Sequence, residues 1–121
     1  MFRFQEFKVY KDSLALTKEI RKLTKSFPKE ELFGLTSQIV RAVDSVVLNI
    51  AEGSDRYSDK DFSRFLNQAI ASVAEVVACL DIAKENQFIE SKEYDIFIAK
   101  VESIYKQLNA FCAKVRKDSK I

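Results

Sequence analysis

The 121-residue chain has no histidine, no tryptophan, one proline, two glycines and two cysteines. Each shortage excludes something. Without histidine the commonest general base and metal ligand are missing. No glycine-rich phosphate loop or nucleophile elbow takes their place. Nothing therefore reads as a catalytic, metal or cofactor site, and the expectation is a protein that is not an enzyme and carries no cofactor. One proline and two glycines leave too little turn material for a sheet protein. The longest mostly apolar run, Ile70 to Leu80, is interrupted by Glu75 and is too short to span a bilayer. The opening MFRFQEF lacks the basic, apolar and small-residue succession of a signal peptide. These features point to a cytoplasmic chain without a membrane partner.

What is abundant is helix-forming. Ala, Leu, Glu, Lys, Gln and Arg dominate. With 47% apolar and 31% charged residues the chain is neither disordered nor membrane-embedded in composition. Its length suits one domain with a real core. Apolar residues recur at helical spacing in four stretches. Val9, Leu16, Ile20, Leu23 and Phe27 mark a first helix from about Lys8 to Ser26, stopped by Pro28. Ile39, Val43, Val46 and Ile50 mark a second from about Leu35 to Glu52, with Gly53 placed to end it in a left-handed turn. Ser58, with Asp61 three residues on, reads as the N-cap of a third helix that runs to about Asn86. Ser91 reads as the cap of a fourth, with Tyr94, Phe97, Val101, Ile104, Leu108, Phe111 and Val115 inward. Four such helices with short connections predict an all-α protein, an antiparallel up-down-up-down four-helix bundle in a single domain over residues 1–121.

A second pattern lies beside the apolar one. Helix two carries a polar stripe of Gln38, Arg41, Ser45, Asn49 and Glu52, and helix three one of Arg64, Gln68, Ser72 and Glu75. In an antiparallel hairpin, residues at one level have a nearly constant sum of residue numbers. That pairs Arg41 with Glu75, Ser45 with Ser72, Asn49 with Gln68 and Glu52 with Arg64, in register with the apolar pairs Val43–Val73 and Ile50–Leu66. The expectation is a polar seam that fixes register. If both stripes face outward instead, they form a subunit or binding surface. Helix two is also apolar at Val40, Val47, Leu48 and Ala51, more than one bundle of this size easily buries, which predicts an oligomer.

Charge is unevenly spread. Residues 1–30 hold eight Lys/Arg against four Asp/Glu, and residues 91–121 seven against four, while the middle is acidic. Lys11, Lys18, Lys22 and Lys25 form a basic stripe on helix one, joined by Arg21. Lys114, Arg116, Lys117 and Lys120 crowd the end of helix four. A nucleic-acid-facing surface would look like this, and so would elements of opposite charge that pair within a fold. At a helix C-terminus, basic residues also complement the dipole. Cys79 and Cys112 fall roughly 20 Å apart along the helices, beyond disulfide reach. They are expected to be buried apolar residues.

The runs FPKEELFGLTSQIVRA (27–42), SVVLNIAEGSDRYSDKDFSRFL (45–66) and SVAE (72–75) resemble the four-helix-bundle proteins of the 23S rRNA intervening-sequence family. Arg41, Ser45, Asn49, Glu52, Gly53, Arg56, Ser72 and Glu75 fall on the family's motif. Two positions depart from it: Ala71 stands where glycine is common, and Asp44 where the residue is usually small and neutral. The resemblance implies a ring-forming homo-oligomer, commonly a pentamer, with no established catalysis. Some such proteins are encoded within ribosomal RNA intervening sequences, and related bundles serve as accessory proteins of reverse transcriptases. The chain is thus expected to bind RNA or another nucleic acid through the basic residues above. The alternative is a protein–protein scaffold that holds a partner protein.

Overall fold

The computed structural model describes residues 2–119. Within them the chain forms four long helices and no strand: α1 (Lys8–Leu23), α2 (Leu35–Ser54), α3 (Asp59–Glu85) and α4 (Ser91–Asp118). Each helix packs on its sequence neighbours, and α1 also meets α4. The predicted apolar stripes meet in one core, in which Ile20, Ile39, Ile50, Leu66, Leu80 and Leu108 have no exposed surface.

Local chemistry sets the helix ends. Pro28 holds Phe27 extended (φ −73°, ψ 149°), and the last turn of the first helix tightens into the 3-10 turn Thr24–Ser26. Phe27 is then buried, its ring 5.9 Å from that of Phe88 at the opposite connection. At the start of α2 the Glu31 carboxylate accepts from the Leu35 amide (3.1 Å), satisfying one of the free N–H groups of a helix start. Ser58 caps α3 as the sequence predicts, its Oγ accepting from Asp61 N at 3.1 Å.

Two end signals work differently from their sequence reading. Gly53 does not leave the helix: no glycine among the described residues has positive φ, and α2 runs on to Ser54. The reason is contact rather than conformation, since a Cβ there would lie 2.6 Å from Phe65 Cβ. Ser91 is the first residue of α4 and not its cap. The cap is Glu90, whose amide donates to Glu93 Oε1 (3.2 Å). The left-handed residue is Gln87 (φ 62°), closing α3 with paired bonds from Phe88 N to Ala83 O (2.8 Å) and Gln87 N to Lys84 O (3.0 Å).

The N-terminal segment was invisible to the periodicity. Arg3–Glu6 makes one 3-10 turn that lies on α2, with Arg3 Nη2 donating to Ser54 O (3.2 Å). Phe7, Phe62 and Phe111 then stack edge and face at 5.0–6.5 Å and close this end of the core. The segment covers part of the second apolar strip of α2: Val47 is buried and Val40 and Ala51 are half-buried, while Leu48 stays 63% exposed. A single chain therefore buries more of α2 than its sequence suggests.

α3 is long and apolar enough to pass for a membrane span by composition, with a window of mean hydropathy 1.5. In the fold its apolar face is instead taken by α2 and α4.

The core holds one polar anomaly. Ser13 is fully buried on α1, and its Oγ has no hydrogen-bond partner, the only such side-chain atom among the described residues. A buried unsatisfied hydroxyl costs about 1–3 kcal/mol, and alanine is also the better helix former. Ser13→Ala should therefore stabilise the protein by about 1 kcal/mol, read as a raised urea midpoint with unchanged slope. A lowered midpoint would mean that the hydroxyl is bonded after all.

Candidate functional site

The polar faces of α2 and α3 meet beside the core, and the centre of the expected seam is there. Ser45 Oγ and Ser72 Oγ lie 2.8 Å apart. Its outer rungs are not formed. Asn49 turns back along its own helix, donating to Ser45 O (2.8 Å) and Ser45 Oγ (3.0 Å) rather than reaching Gln68. Glu52 pairs with Arg56 (3.3 Å) and Arg64 with Asp61 (3.0 Å), one turn away in each case. Arg41 and Glu75 do not pair; Glu75 accepts from Gln38 Nε2 at 3.4 Å. Long side chains at a water-exposed level take partners on their own helix, which orders fewer rotors than a bridge between helices.

Where the ladder opens, a groove of about 450 Å³ runs between the start of α2 and the middle of α3. Ser37, Gln38, Arg41 and Ser45 line it from α2, Glu75 from α3, and Phe33 from the connection. Arg41 is exposed and has no acidic partner among the described residues. Phe33 is 93% exposed. Sequence reasoning did not single it out. The available signal was phase: Phe33 precedes Gly34 in a connection and belongs to neither flanking apolar stripe.

The basic residues separate into two groups. On α1, Lys11, Lys18, Lys22 and Lys25 all point to solvent along a stripe of roughly 21 Å. Lys11 has Glu6 at 3.8 Å. Lys18, Lys22 and Lys25 have no acidic partner among the described residues. Arg21 leaves the stripe: its two terminal nitrogens donate to the Asp44 carboxylate at 2.9 and 2.7 Å. That hydrogen-bonded carboxylate holds the guanidinium pKa above its ordinary value. The charge at Asp44 thus locks α1 to α2 and removes one cation from the surface. Lys114, Arg116 and Lys117 are exposed at the far end of α4. There Lys114 shares a small cleft with Arg3, Asp59 and Asp118. Lys120 lies outside the described residues.

Other titratable groups serve the packing. Asp12 sits below the ordinary carboxylate range because Lys8 and Gln107 donate to it. Lys100 pairs with Glu19 across α1 and α4. Tyr94 donates to Asp81 (2.5 Å), which raises its pKa and ties α4 to α3. Cys79 and Cys112 are free and buried. Burial, with Glu75 nearby, pushes the Cys79 thiol up to about 11. Among the described residues no group of three or more acidic, cysteine or histidine side chains could hold a metal.

These features define a class: a small all-α, four-helix protein with its chemistry on the outside, in one polar groove and one lysine face. The chain belongs to the 23S rRNA-intervening sequence protein family, whose model matches residues 5–110. It is similar to a crystal structure of a protein of unknown function from the S23 ribosomal protein family of Bacteroides thetaiotaomicron, at 26% identity and a TM-score of 0.80. That likeness covers 87% of this chain and 95% of the other. Among curated proteins none matches.

Proposed function

We propose that the protein is a cytoplasmic, non-enzymatic RNA-binding or ribonucleoprotein accessory protein. In this reading it is an antiparallel up-down-up-down bundle that assembles as a homo-oligomeric ring, a pentamer by family resemblance. One observation carries the RNA reading: Lys18, Lys22 and Lys25 stand exposed on one helix face without acidic partners, in a chain of this family. Three lysines per chain are few, and a ring multiplies them, since each further contact becomes intramolecular. Assembly is supported by the apolar surface that Phe2 and Leu48, 65% and 63% exposed, present around one groove beside Ala51. The same surface favours a second reading, a scaffold that holds a partner protein.

The test is the absorbance ratio at 260 and 280 nm of protein purified at low salt without nuclease. Four tyrosines and no tryptophan give a weak 280 nm signal, so bound RNA stands out. The expected result is excess 260 nm absorbance that a high-salt wash removes and that Lys18→Glu with Lys22→Glu abolishes. With three phosphates neutralised per subunit, log K should fall against log salt with a slope of about −2 for each subunit engaged. A clean protein spectrum at low salt would favour the scaffold.

A further inference from the structure

Phosphate contacts by lysines account for affinity and leave the α2–α3 groove unused. Its features do not belong to the bundle's own packing. Phe33 is held outward on an ordered turn: Leu32 N donates to Lys29 O (3.1 Å), and Gly34 N to Glu31 O (2.9 Å). The adjoining Leu35 amide is capped by Glu31. A phenylalanine left in water forgoes about 1.5–3 kcal/mol of burial. On the groove wall, Arg41 lacks an acidic partner although Glu75 lines the same space, and Glu75 receives only a long bond from Gln38. One flat apolar ring, one guanidinium and one carboxylate thus share a groove open to solvent.

We propose that this groove binds an unpaired guanine of single-stranded RNA, which deepens and rests on the RNA-binding reading above. The base stacks on Phe33, as exposed aromatic rings take single-stranded bases in a sequence-tolerant way. Specificity comes from the two charged walls. Guanine alone offers two adjacent donors, N1–H and N2–H, to a carboxylate, and O6 with N7 to a guanidinium. Glu75 accepts from the first pair and Arg41 donates to the second. Uracil has one donor flanked by two carbonyls that the carboxylate repels. Cytosine and adenine each bring one amino group beside an unprotonated ring nitrogen. A duplex is excluded, because pairing occupies the N1–N2 edge and stacking hides the face that Phe33 needs. Lys22 and Lys25, near the end of α1 from which the chain leads to Phe33, are placed for the flanking phosphates.

The experiment is fluorescence anisotropy with short labelled RNAs: single-stranded with guanines, single-stranded without, and the guanine strand annealed to its complement. The full chain is used, and GMP is the competitor. The guanine strand should bind roughly 5–150-fold tighter than the guanine-free strand, and tighter than the duplex. Phe33→Ala should lose a similar factor on the guanine strand. Glu75→Ala should erase the preference while leaving guanine-free RNA unchanged. Lys18→Glu with Lys22→Glu should weaken both single strands alike. Equal binding of both strands by the wild type, or a preference that survives Glu75→Ala, overturns the guanine site and leaves RNA binding standing. No binding to any RNA overturns both. GMP that competes as tightly as the RNA assigns the groove to a free nucleotide and overturns the RNA source. A change in assembly mass with Phe33→Ala makes the groove a contact between copies and overturns the proposal.

Discussion

Gly53→Ala should destabilise the protein by about 1–3 kcal/mol, although the substitution places a better helix former inside a helix. In an open helix the same change would gain about 1 kcal/mol. Here the sign is set by the neighbour. An alanine Cβ would lie 2.6 Å from Phe65 Cβ and 3.0 Å from Phe62 Cδ1. A Cβ is fixed to its backbone and cannot rotate away, so α2 and α3 must part at the base of their hairpin. Phe62 belongs to the stack with Phe7 and Phe111, and Arg56 lies over Phe65 at 4.6 Å, so the shift spreads into both. At about 4 °C per kcal/mol for a domain of this size, Tm should fall by roughly 4–12 °C in a thermal melt. The other glycine is the control. At Gly34 the nearest atom to a new Cβ is Glu31 Oε1, at 3.0 Å, the tip of a side chain that can move. A Gly53→Ala protein as stable as the wild type would show that the helices are not in this contact.

The four helices were legible because their apolar residues keep one phase for many turns. Ile39, Val43, Val46 and Ile50 leave little freedom, and the buried set confirms them. Ser58 was legible because a cap needs only local chemistry. Ser45 on Ser72 followed from register, and short side chains have nowhere else to go. The charged rungs failed for the complementary reason. A sum of residue numbers fixes the level of two backbones, but Arg64 and Glu52 carry several rotors each and found partners at i−3 and i+4. Gly53 failed because glycine has two uses, positive φ and close approach, and sequence position alone does not separate them. Gln87 carries no signal at all for its left-handed backbone. The N-terminal turn is too short for a period to show, yet it decides how much of α2 remains exposed. The basic stripe was legible residue by residue. That Asp44 takes Arg21 out of it was not, because the pair is 23 positions apart and depends on how α1 crosses α2.

Two leucines separate folding from assembly, and their alanine variants should differ widely. Leu66 has no exposed surface and lies on the inward face of α3. Leu66→Ala should cost about 2–5 kcal/mol, the transfer loss plus the cavity left in a packed core. Against a total of about 5–15 kcal/mol for a domain of ordinary stability, that is a large share of the folded state. The urea midpoint should fall accordingly. Leu48 is 63% exposed and shares a shallow groove with Phe2, Phe4 and Ala51. A side chain already in water has little burial to lose, so in an isolated chain Leu48→Ala should change stability by less than about 0.5 kcal/mol. In a ring that covers this groove the same substitution removes buried apolar area from every interface. The mass measured by light scattering should then drop with dilution, while the helical circular dichroism stays unchanged. Leu66→Ala, by contrast, should lose helix and mass together. If Leu48→Ala leaves both mass and midpoint untouched, this groove is free surface, and assembly, where it occurs, uses another face.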